Sequence, residues 1–368
     1  MIILSYIYLA YRYRIYPTEQ QAHKLELTFS ATTTLYNVAL DDMIRHYEHT
    51  GEILTPQLDD YIREPHYSFR GLDFFPLLST LSTLEKDFST ALVKDTYPTH
   101  RKNKRKWSYC STTAGTRFSI VDSYVDIPFV GMVKIVLHRE LPSRPLNATV
   151  IKEFSGDYYI SFLIKNKLDK LDFVTPTFEN CIGLDYSNPH FYIDSDGNKA
   201  PNHKHFYKEE KEHLEREVAK LKRKQKGSSN YYKQLRKVNK LQAKIANRRK
   251  DWLHKESRRL ADTYEFVGVE DLDLQAIIST YNLGENAMDN SYGLFIRMLD
   301  YKMAAHGKVL FKVNRWLPTS QTCNNCGYVN KNLTLADRFW KCPRCNRTIS
   351  RDHNAAINIK DEIIKYLG

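Results

Sequence analysis

The sequence predicts a multidomain, mixed α/β protein. Three observations carry that expectation. The chain has 368 residues, a length that suits two or three domains rather than one. Helical periodicity in the first third gives way, between about Gly115 and Ile164, to short runs of Val, Ile, Tyr and Phe. From about Asn180 onward, strand patterns alternate with helical ones. Hydrophobic residues make up 42% and charged residues 27%, ordinary for a globular chain and outside the range of wholesale disorder. The longest apolar stretch, Met1–Ala10, is too short to span a bilayer. With no charge ahead of it and Arg12 and Arg14 close behind, it also makes a poor signal peptide. Six cysteines, four of them between residues 323 and 345, are not a disulfide framework for this length. The expectation is a soluble, intracellular, basic protein.

Element by element, Tyr11-Arg-Tyr-Arg-Ile-Tyr16 reads as a strand closed by Pro17, and Thr18 as a helix N-cap with Gln21 at the reciprocal capping-box position. Leu25, Phe29, Tyr36, Leu40, Met43, Ile44 and Tyr47 fit helices with one buried face. Leu81, Leu84 and Phe88 mark another helix that ends before Pro98. Phe118–Val121, Val133–Leu137 and Tyr158–Ile164 read as strands, parted by turn signals at Gly131 and Ser155-Gly-Asp157. The first third is thus expected as a helical insert flanked by strands of a small β-barrel. Cys181–Asp185 reads as a buried strand, and Phe191–Ile193 leads into a hairpin turn over Asp194–Asn198. Leu214, Val218 and Leu221 stripe one helix. Leu235, Val238, Leu241 and Ile245 stripe a second, with Gly227–Asn230 breaking them apart. Phe266–Glu270, a helix over about Ser291–Ala305 and the strand Val309–Val313 complete an α/β domain.

Charge is unevenly placed. The net charge is +12, yet Lys220, Lys222, Arg223, Lys224, Lys226, Lys233, Arg236, Lys237, Lys240, Lys244, Arg248, Arg249 and Lys250 fall in one stretch that contains no acid. Without that stretch the chain has 42 basic and 43 acidic residues. A smaller cluster, Arg101, Lys102, Lys104, Arg105 and Lys106, precedes Trp107. Short charge runs are usually solvated helix faces, but thirteen uncompensated cations repel one another unless a polyanion neutralises them. Nucleic acid is the expected partner, with an anionic membrane surface well behind.

Cys323-x2-Cys326, fifteen residues, then Cys342-x2-Cys345 is the spacing of a four-cysteine zinc site. Each pair offers two thiolates from one tight turn, and Gly327 permits the left-handed backbone that such turns use. Four thiolates leave no open coordination position, so one structural Zn²⁺ is expected. Cys110 and Cys181 have no such spacing and read as core residues.

Three carboxylates stand where strand or loop patterns end: Asp185 after Ile-Gly-Leu, Glu270 after Val-Gly-Val, and Asp352 before Asn-Ala-Ala-Ile. Strand alternation puts Gly183 on the face of Asp185 and Gly268 on the face of Glu270, which would leave that face open for a metal or phosphate. Hard oxygen ligands suit Mg²⁺, and a cluster of them can hold two ions that clamp the attacking and leaving oxygens of a phosphodiester. Each acid also fits a structural role: an Asp after a strand caps or turns, and Asp352 could N-cap the helix that follows. Asp194, Asp196, Asp271 and Asp273 are rivals, and the pattern alone leaves these alternatives open.

These residues bring a resemblance into view. Tyr11–Pro17, Gly131-Met-Val-Lys-Ile-Val-Leu-His138, Gly183-Leu-Asp185, Lys244–Asp251 with Leu253-His-Lys255, Val269-Glu-Asp-Leu272, Thr322-Cys-Asn-Asn-Cys-Gly327 and Arg351-Asp-His-Asn-Ala-Ala356 run in order through nearly the whole chain. In this order they resemble TnpB, the family of RNA-guided nucleases encoded by insertion-sequence transposons and related to type V CRISPR effectors. The resemblance implies a RuvC-type nuclease core of RNase H-like fold over 179–317 and 350–368, with Asp185, Glu270 and Asp352 as its three acidic positions and two Mg²⁺ ions. It further implies a zinc ribbon over 318–349, a β-barrel wedge domain over 1–17 and 115–178, and a helical recognition insert over 18–114. The implied partners are a noncoding guide RNA and double-stranded DNA carrying a short target-adjacent motif. The protein would act as a monomer in a ribonucleoprotein, within the cytoplasm of a prokaryotic cell and near its nucleoid. Lys220, Lys222, Arg223, Lys224, Lys233, Arg236, Lys237, Lys240, Lys244, Arg248 and Arg249, with Arg101, Lys102, Lys104 and Arg105, would lie along nucleic-acid phosphates. Two departures concern tuning of the site: Tyr186-Ser187 where the family often has glycine two residues after the first acid, and Ser350 where it often has an acid or His. A compact CRISPR effector, or an RNA-guided repressor that does not cleave, would share the scaffold.

Overall fold

The structure, a computed structural model, describes all residues except 1–5, 63–68, 70–71, 103–105, 113–117, 168–173, 188–189, 201–207, 273–290 and 335. Lys104, Arg105 and Asp273 therefore lie outside the described residues. The chain divides into two compact units, one spanning Tyr6–Lys167 and one formed by the chain that follows.

In the first unit, β1 (Tyr6–Tyr16) alternates as its sequence dictates: Tyr13 and Ile15 point inward, while Arg12 and Arg14 reach outward to Glu153 and Asp157. Thr18 then caps α1 (Glu19–Thr50) in a full capping box with Gln21, and Gly51 ends it in the left-handed region at φ 71°. Two more helices follow, α2 (Leu58–Ile62) and α3 (Phe74–Leu92). The remaining strands are β2 (Lys106–Thr112), β3 (Ile120–Val121), β4 (Tyr124–Ile127), β5 (Gly131–Val136), β6 (Asn147–Glu153) and β7 (Tyr158–Lys167). They join β1 in one antiparallel sheet of order β2-β6-β7-β1-β5-β4-β3. Leu25 and Phe29 of α1 fill the core of that sheet with Tyr13, Ile135, Val150, Ile160 and Phe162. Farther along α1, Leu35, Leu40 and Met43 pack against Leu77, Leu84 and Phe88 of α3.

One strand lies where the sequence suggests helix. β2 falls inside the stretch expected as helical insert, where the basic cluster hides the alternation that buries Tyr109 and Ser111. It pairs with β6 from Lys106↔Glu153 to Thr112↔Asn147.

The second unit is built on a four-stranded sheet of order β11-β10-β8-β9, from β8 (Cys181–Tyr186), β9 (Tyr192–Asp194), β10 (Phe266–Glu270) and β11 (Val309–Val313). β8, β10 and β11 are parallel, and β9 returns antiparallel to β8. Strand alternation gives the sheet two different faces. Ile182, Leu184, Val267 and Val269 pack on Leu253 and Leu260 of α5 (Ser229–Thr263) and on Phe295, Leu299 and Met303 of α6 (Tyr292–Ala305). Cys181 and Phe266, on the opposite face, pack on Ile363 of α7 (Arg351–Leu367). α4 (Lys208–Lys222) pairs with α5 as a helical hairpin, broken where the sequence places Gly227 and Ser228. Between β11 and α7 lies a small ribbon with the hairpin β12 (Phe339–Lys341) and β13 (Thr348–Ser350). The mixed α/β class expected from the sequence holds. Among the described residues, no helix is long and apolar enough to cross a membrane.

Candidate active site and metal centre

β8 and β10 run in parallel register, Gly268 opposite Gly183 and Val269 opposite Leu184, so Asp185 and Glu270 end two neighbouring strands side by side. Both carboxylates share a sheet face with the two glycines. That face is covered by α7. A Cβ on Gly183 would meet the Ala356 carbonyl oxygen at 2.1 Å, and one on Gly268 would meet Ile359 Cγ2 at 2.7 Å. The glycines thus open the face for a helix, not for a metal or phosphate as the sequence suggested. Because the helix lies this close, its first turn brings Asp352 to the acids.

The electrostatics follow from this packing. Asp185 is buried, and burial, then the negative charges of Glu270 and Asp352, push its pKa well above the ordinary carboxylate value. Burial also raises Glu270, against which the Thr319 hydroxyl donates to Glu270 Oε1. Asp352 accepts from Arg351 Nε at 3.0 Å and from Arg338 Nη1 at 3.2 Å. Asp352 does not cap its helix. Ser350 stands at the N-cap, and Asp352 lies in the first turn.

The rival acids have other occupations. Asp194 Oδ1 accepts the N–H groups of Asp196 and Asn198 in the hairpin turn, Asp196 lies 3.7 Å from Lys360, and Asp271 pairs with Arg315 at 2.8 Å.

In the ribbon the four cysteine Sγ atoms all lie within 4.8 Å of one another. The two halves are built alike. Gly327 N–H donates to Cys323 O and Asn346 N–H to Cys342 O, with φ of 73° at Gly327 and 59° at Asn346. This cluster can hold a metal such as zinc. Among the described residues it is the group of His, Cys, Asp or Glu side chains drawn that close; the three acids are electrostatic neighbours at longer range. Trp340 and Ile349 pack beside Cys323 and Cys342, whereas Phe339 is exposed and Leu335 is outside the described residues.

The ribbon is tied to the acids through residues that the sequence reading passed over. Thr319, whose hydroxyl holds Glu270, accepts through its carbonyl from Asn354 and Asn358 of α7 at 3.2 and 2.6 Å. Asn354 Oδ1 also accepts from Asn324 N–H inside the first cysteine pair, at 2.9 Å. The signal available was the spacing of Asn354 and Asn358, four residues apart on one helix face among apolar neighbours.

Of the basic residues, all thirteen between 220 and 250 lie on or between α4 and α5, and every one is exposed except the half-exposed Arg249. They are not wholly uncompensated as expected: Lys220 pairs with Glu217 at 2.6 Å, and Lys244 and Arg248 pair with Glu210. Those acids lie just ahead of the basic run. In the first unit Arg101 is partly buried, its guanidinium 3.7 Å from the Tyr36 ring centroid, and with the exposed Lys102 it lines a pocket of about 350 Å³ beside Trp107.

Comparison with known proteins finds relatives along most of the chain. A family profile described as a Cas12f1-like TNB domain matches residues 292–359, an IS605 OrfB profile described as a probable transposase matches 173–279, and a helix-turn-helix profile of the same series matches 5–52. Here the last region is one strand followed by one long helix, β1 and α1. A putative RNA-guided DNA endonuclease of Streptomyces pristinaespiralis is 29% identical over 95% of this chain and 88% of its own length. One from Escherichia coli K12 is 26% identical over 77% and 73%. Among solved structures, a Cas12f1–sgRNA–target DNA complex matches with a TM-score of 0.56 and 13% identity, over 93% of this chain and 82% of that one, a likeness of fold. With profiles falling in chain order from the first described strand to the last helix, and with relatives matched along most of their length, the chain is similar nearly from end to end to RNA-guided DNA endonucleases, and in part to TnpB-like proteins.

Proposed function

We propose that the protein is an RNA-guided DNA endonuclease that hydrolyses phosphodiester bonds at Asp185, Glu270 and Asp352. One observation carries this reading: a buried Asp185 that feels the charges of Glu270, at the end of the neighbouring strand, and of Asp352, in the first turn of the helix that covers their face. Like charges held together out of water need a cation or a proton, and an all-oxygen donor set suits Mg²⁺. The residues present therefore fit the group. Asp185, Glu270 and Asp352 would hold two Mg²⁺ ions, which supply Lewis acidity at the phosphoryl oxygens and an activated water. The chain's own contribution is orientation. The Thr319 hydroxyl fixes Glu270, Arg351 and Arg338 hold Asp352 in place by donating to its two carboxylate oxygens, and α7, seated on Gly183 and Gly268, sets the spacing.

In this reading 179–317 with 350–368 form a RuvC-like core of RNase H-like fold, and 318–349 form a ribbon around one structural Zn²⁺. The sheet of the first unit acts as a wedge and its helices as a recognition insert. The exposed Lys and Arg of α4 and α5 lie along phosphates of a guide RNA or its heteroduplex with DNA, read by shape. The complex works as a monomeric ribonucleoprotein in the cytoplasm of its cell. The intact acids favour cleavage over a purely regulatory role.

The test is a plasmid-cleavage assay with the purified ribonucleoprotein. Replacing Asp185, Glu270 or Asp352 by Ala should abolish cleavage while RNA remains bound, since groups that act as a unit do not lose activity piecemeal. Near wild-type cleavage by Glu270→Ala would overturn the assignment.

A further inference from the structure

Trp316 and Phe339 are the two most exposed aromatic side chains among the described residues, at 84% and 69%, and both are tied to the acids. Trp316 stands in a turn over 314–317, where Leu317 N–H donates to Asn314 O and Trp316 N–H to Asn314 Oδ1, both at 3.0 Å. Three residues on, the Thr319 hydroxyl donates to Glu270. Phe339 pairs with Ser350 across the β12–β13 hairpin, and Arg338 just before it donates to Asp352 at 3.2 Å.

Trp316 also lines a groove of about 450 Å³, together with Phe311, Val313, Leu317, Glu362 and Tyr366. The strand register fixes where that groove lies. Phe311 stands opposite Gly268 and Val313 opposite Glu270, so both lie on the sheet face that carries the acids, one strand away from them. β11 is the edge of the sheet, and α7 supplies the other wall through Glu362 and Tyr366. The Phe311 and Tyr366 rings stack, with centroids 6.2 Å apart and planes 28° from parallel. The two acids at the rim, Glu362 and Asp271, are ion-paired with Lys365 and Arg315 at 3.2 and 2.8 Å, and the exposed Lys312 leaves the rim net positive. Exposed rings with cations beside them hold nucleobases by stacking, and only an unpaired strand offers its base faces. Guide pairing leaves one strand of a DNA target without a partner.

We propose that this groove holds the displaced single strand of the target DNA, with Trp316 as a positioning residue whose ring stacks on a base and keeps the strand beside Glu270. The proposal rests on the nuclease reading above. DNA is the occupant because the groove adjoins the acids that would cut it, and because its apolar floor is aromatic under a positive rim. An apolar peptide would leave that positive rim unmatched.

The experiment compares Trp316→Ala and Trp316→Phe with the unchanged residue in the guide-loaded complex. Target DNA carries the fluorescent base 2-aminopurine at successive positions of the displaced strand, and an Asp185→Asn background keeps that strand whole. Stacking on an aromatic ring quenches this base. Single-turnover cleavage, target binding and melting temperature are measured with Asp185 intact. Quenching should appear at positions near the cut, vanish in Trp316→Ala and persist in Trp316→Phe. Cleavage should slow by about tenfold in Trp316→Ala, the size of one lost base stack, and be largely restored by Phe. Target binding and melting temperature should not change, since guide pairing supplies the affinity and an exposed ring adds little packing. Quenching and cleavage of Trp316→Ala both within about twofold of the parent, where a lost stack should cost more, would overturn the proposal and leave the nuclease reading standing. So would quenching that follows 2-aminopurine in the guide RNA instead of the DNA, or a fall in melting temperature that makes the ring structural. Quenching that depends on Trp316 in a complex that binds its target and never cuts would leave the groove standing and overturn the nuclease reading.

Discussion

At the scale of single residues, Asp185 is where stability and chemistry oppose each other. Its pKa is raised in the folded chain, so the folded state holds that proton more tightly than the unfolded one. The metal-free fold is therefore favoured below the ordinary carboxylate value of 3.8 and loses stability as pH rises through the raised pKa. In Mg²⁺-free buffer at neutral pH, Asp185→Asn should melt higher than wild type, and the gap should narrow as the solution is acidified. Added Mg²⁺ should raise the melting temperature of wild type more than that of Asp185→Asn. Equal melting at neutral pH would remove the claim of a buried, repelled charge. The three acids could be picked out of the sequence because each follows a strand or opens a helix within a family motif. Thr319 and Asn354 could not, because a Thr in a loop and an Asn on a helix are ordinary until their partners are known.

At the scale of elements, the seating of α7 decides whether the acids meet. Gly183 touches helix backbone and Gly268 touches only side-chain tips, so the two positions should differ. Gly183→Ala should cost about 1–3 kcal/mol or more and depress cleavage, because backbone cannot rotate away. Gly268→Ala should cost less, since Ile359 and Ile363 can change rotamer. Equal melting temperatures for the two variants would contradict this packing. The ribbon gives the second element-scale prediction. Its apolar centre beyond the cysteines is little more than Trp340, Ile349 and Leu333, so a metal held by the four cysteines would supply most of its folding free energy. Metal analysis should find one zinc per chain, and Cys342→Ser should lose it together with most activity, because Asn354 and Thr319 link the first cysteine turn to Glu270 and α7. A zinc-free preparation with full activity would refute that linkage. The cysteine spacing and Gly327 made the ribbon legible in advance. The glycines were legible as special but misread, since the sequence shows that a face is open without showing what closes it. β2 was hidden because five basic residues ahead of and within it drew attention to charge, not to alternation.

At the scale of the whole molecule, the surplus charge resides on two helices and faces outward. Replacing Lys233, Arg236, Lys237 and Lys240 with Gln should flatten the salt dependence of RNA binding by about one unit of slope for each residue that contacts a phosphate. Lys220, Lys244 and Arg248 should matter less, because Glu217 and Glu210 already neutralise part of their charge. An identical change for both sets would show that those ion pairs give way to nucleic acid. Composition alone pointed to a polyanion, and the ordered motifs named the family. What neither could supply was the pairing of the acids just ahead of the basic run, Glu210 with Lys244 and Arg248 across the helical hairpin and Glu217 with Lys220 within α4. The central claim is that the RNA, not the protein, chooses the target. The most direct measurement is therefore to exchange the guide segment of the bound RNA, with the protein unchanged, and map the cut sites on a plasmid carrying both targets beside the same flanking motif. The cut should move to the new match and disappear from the old one, and RNA-free protein should cut at neither. Cleavage that stays at one sequence after the exchange, or persists at a fixed site after the RNA is digested away, would contradict it.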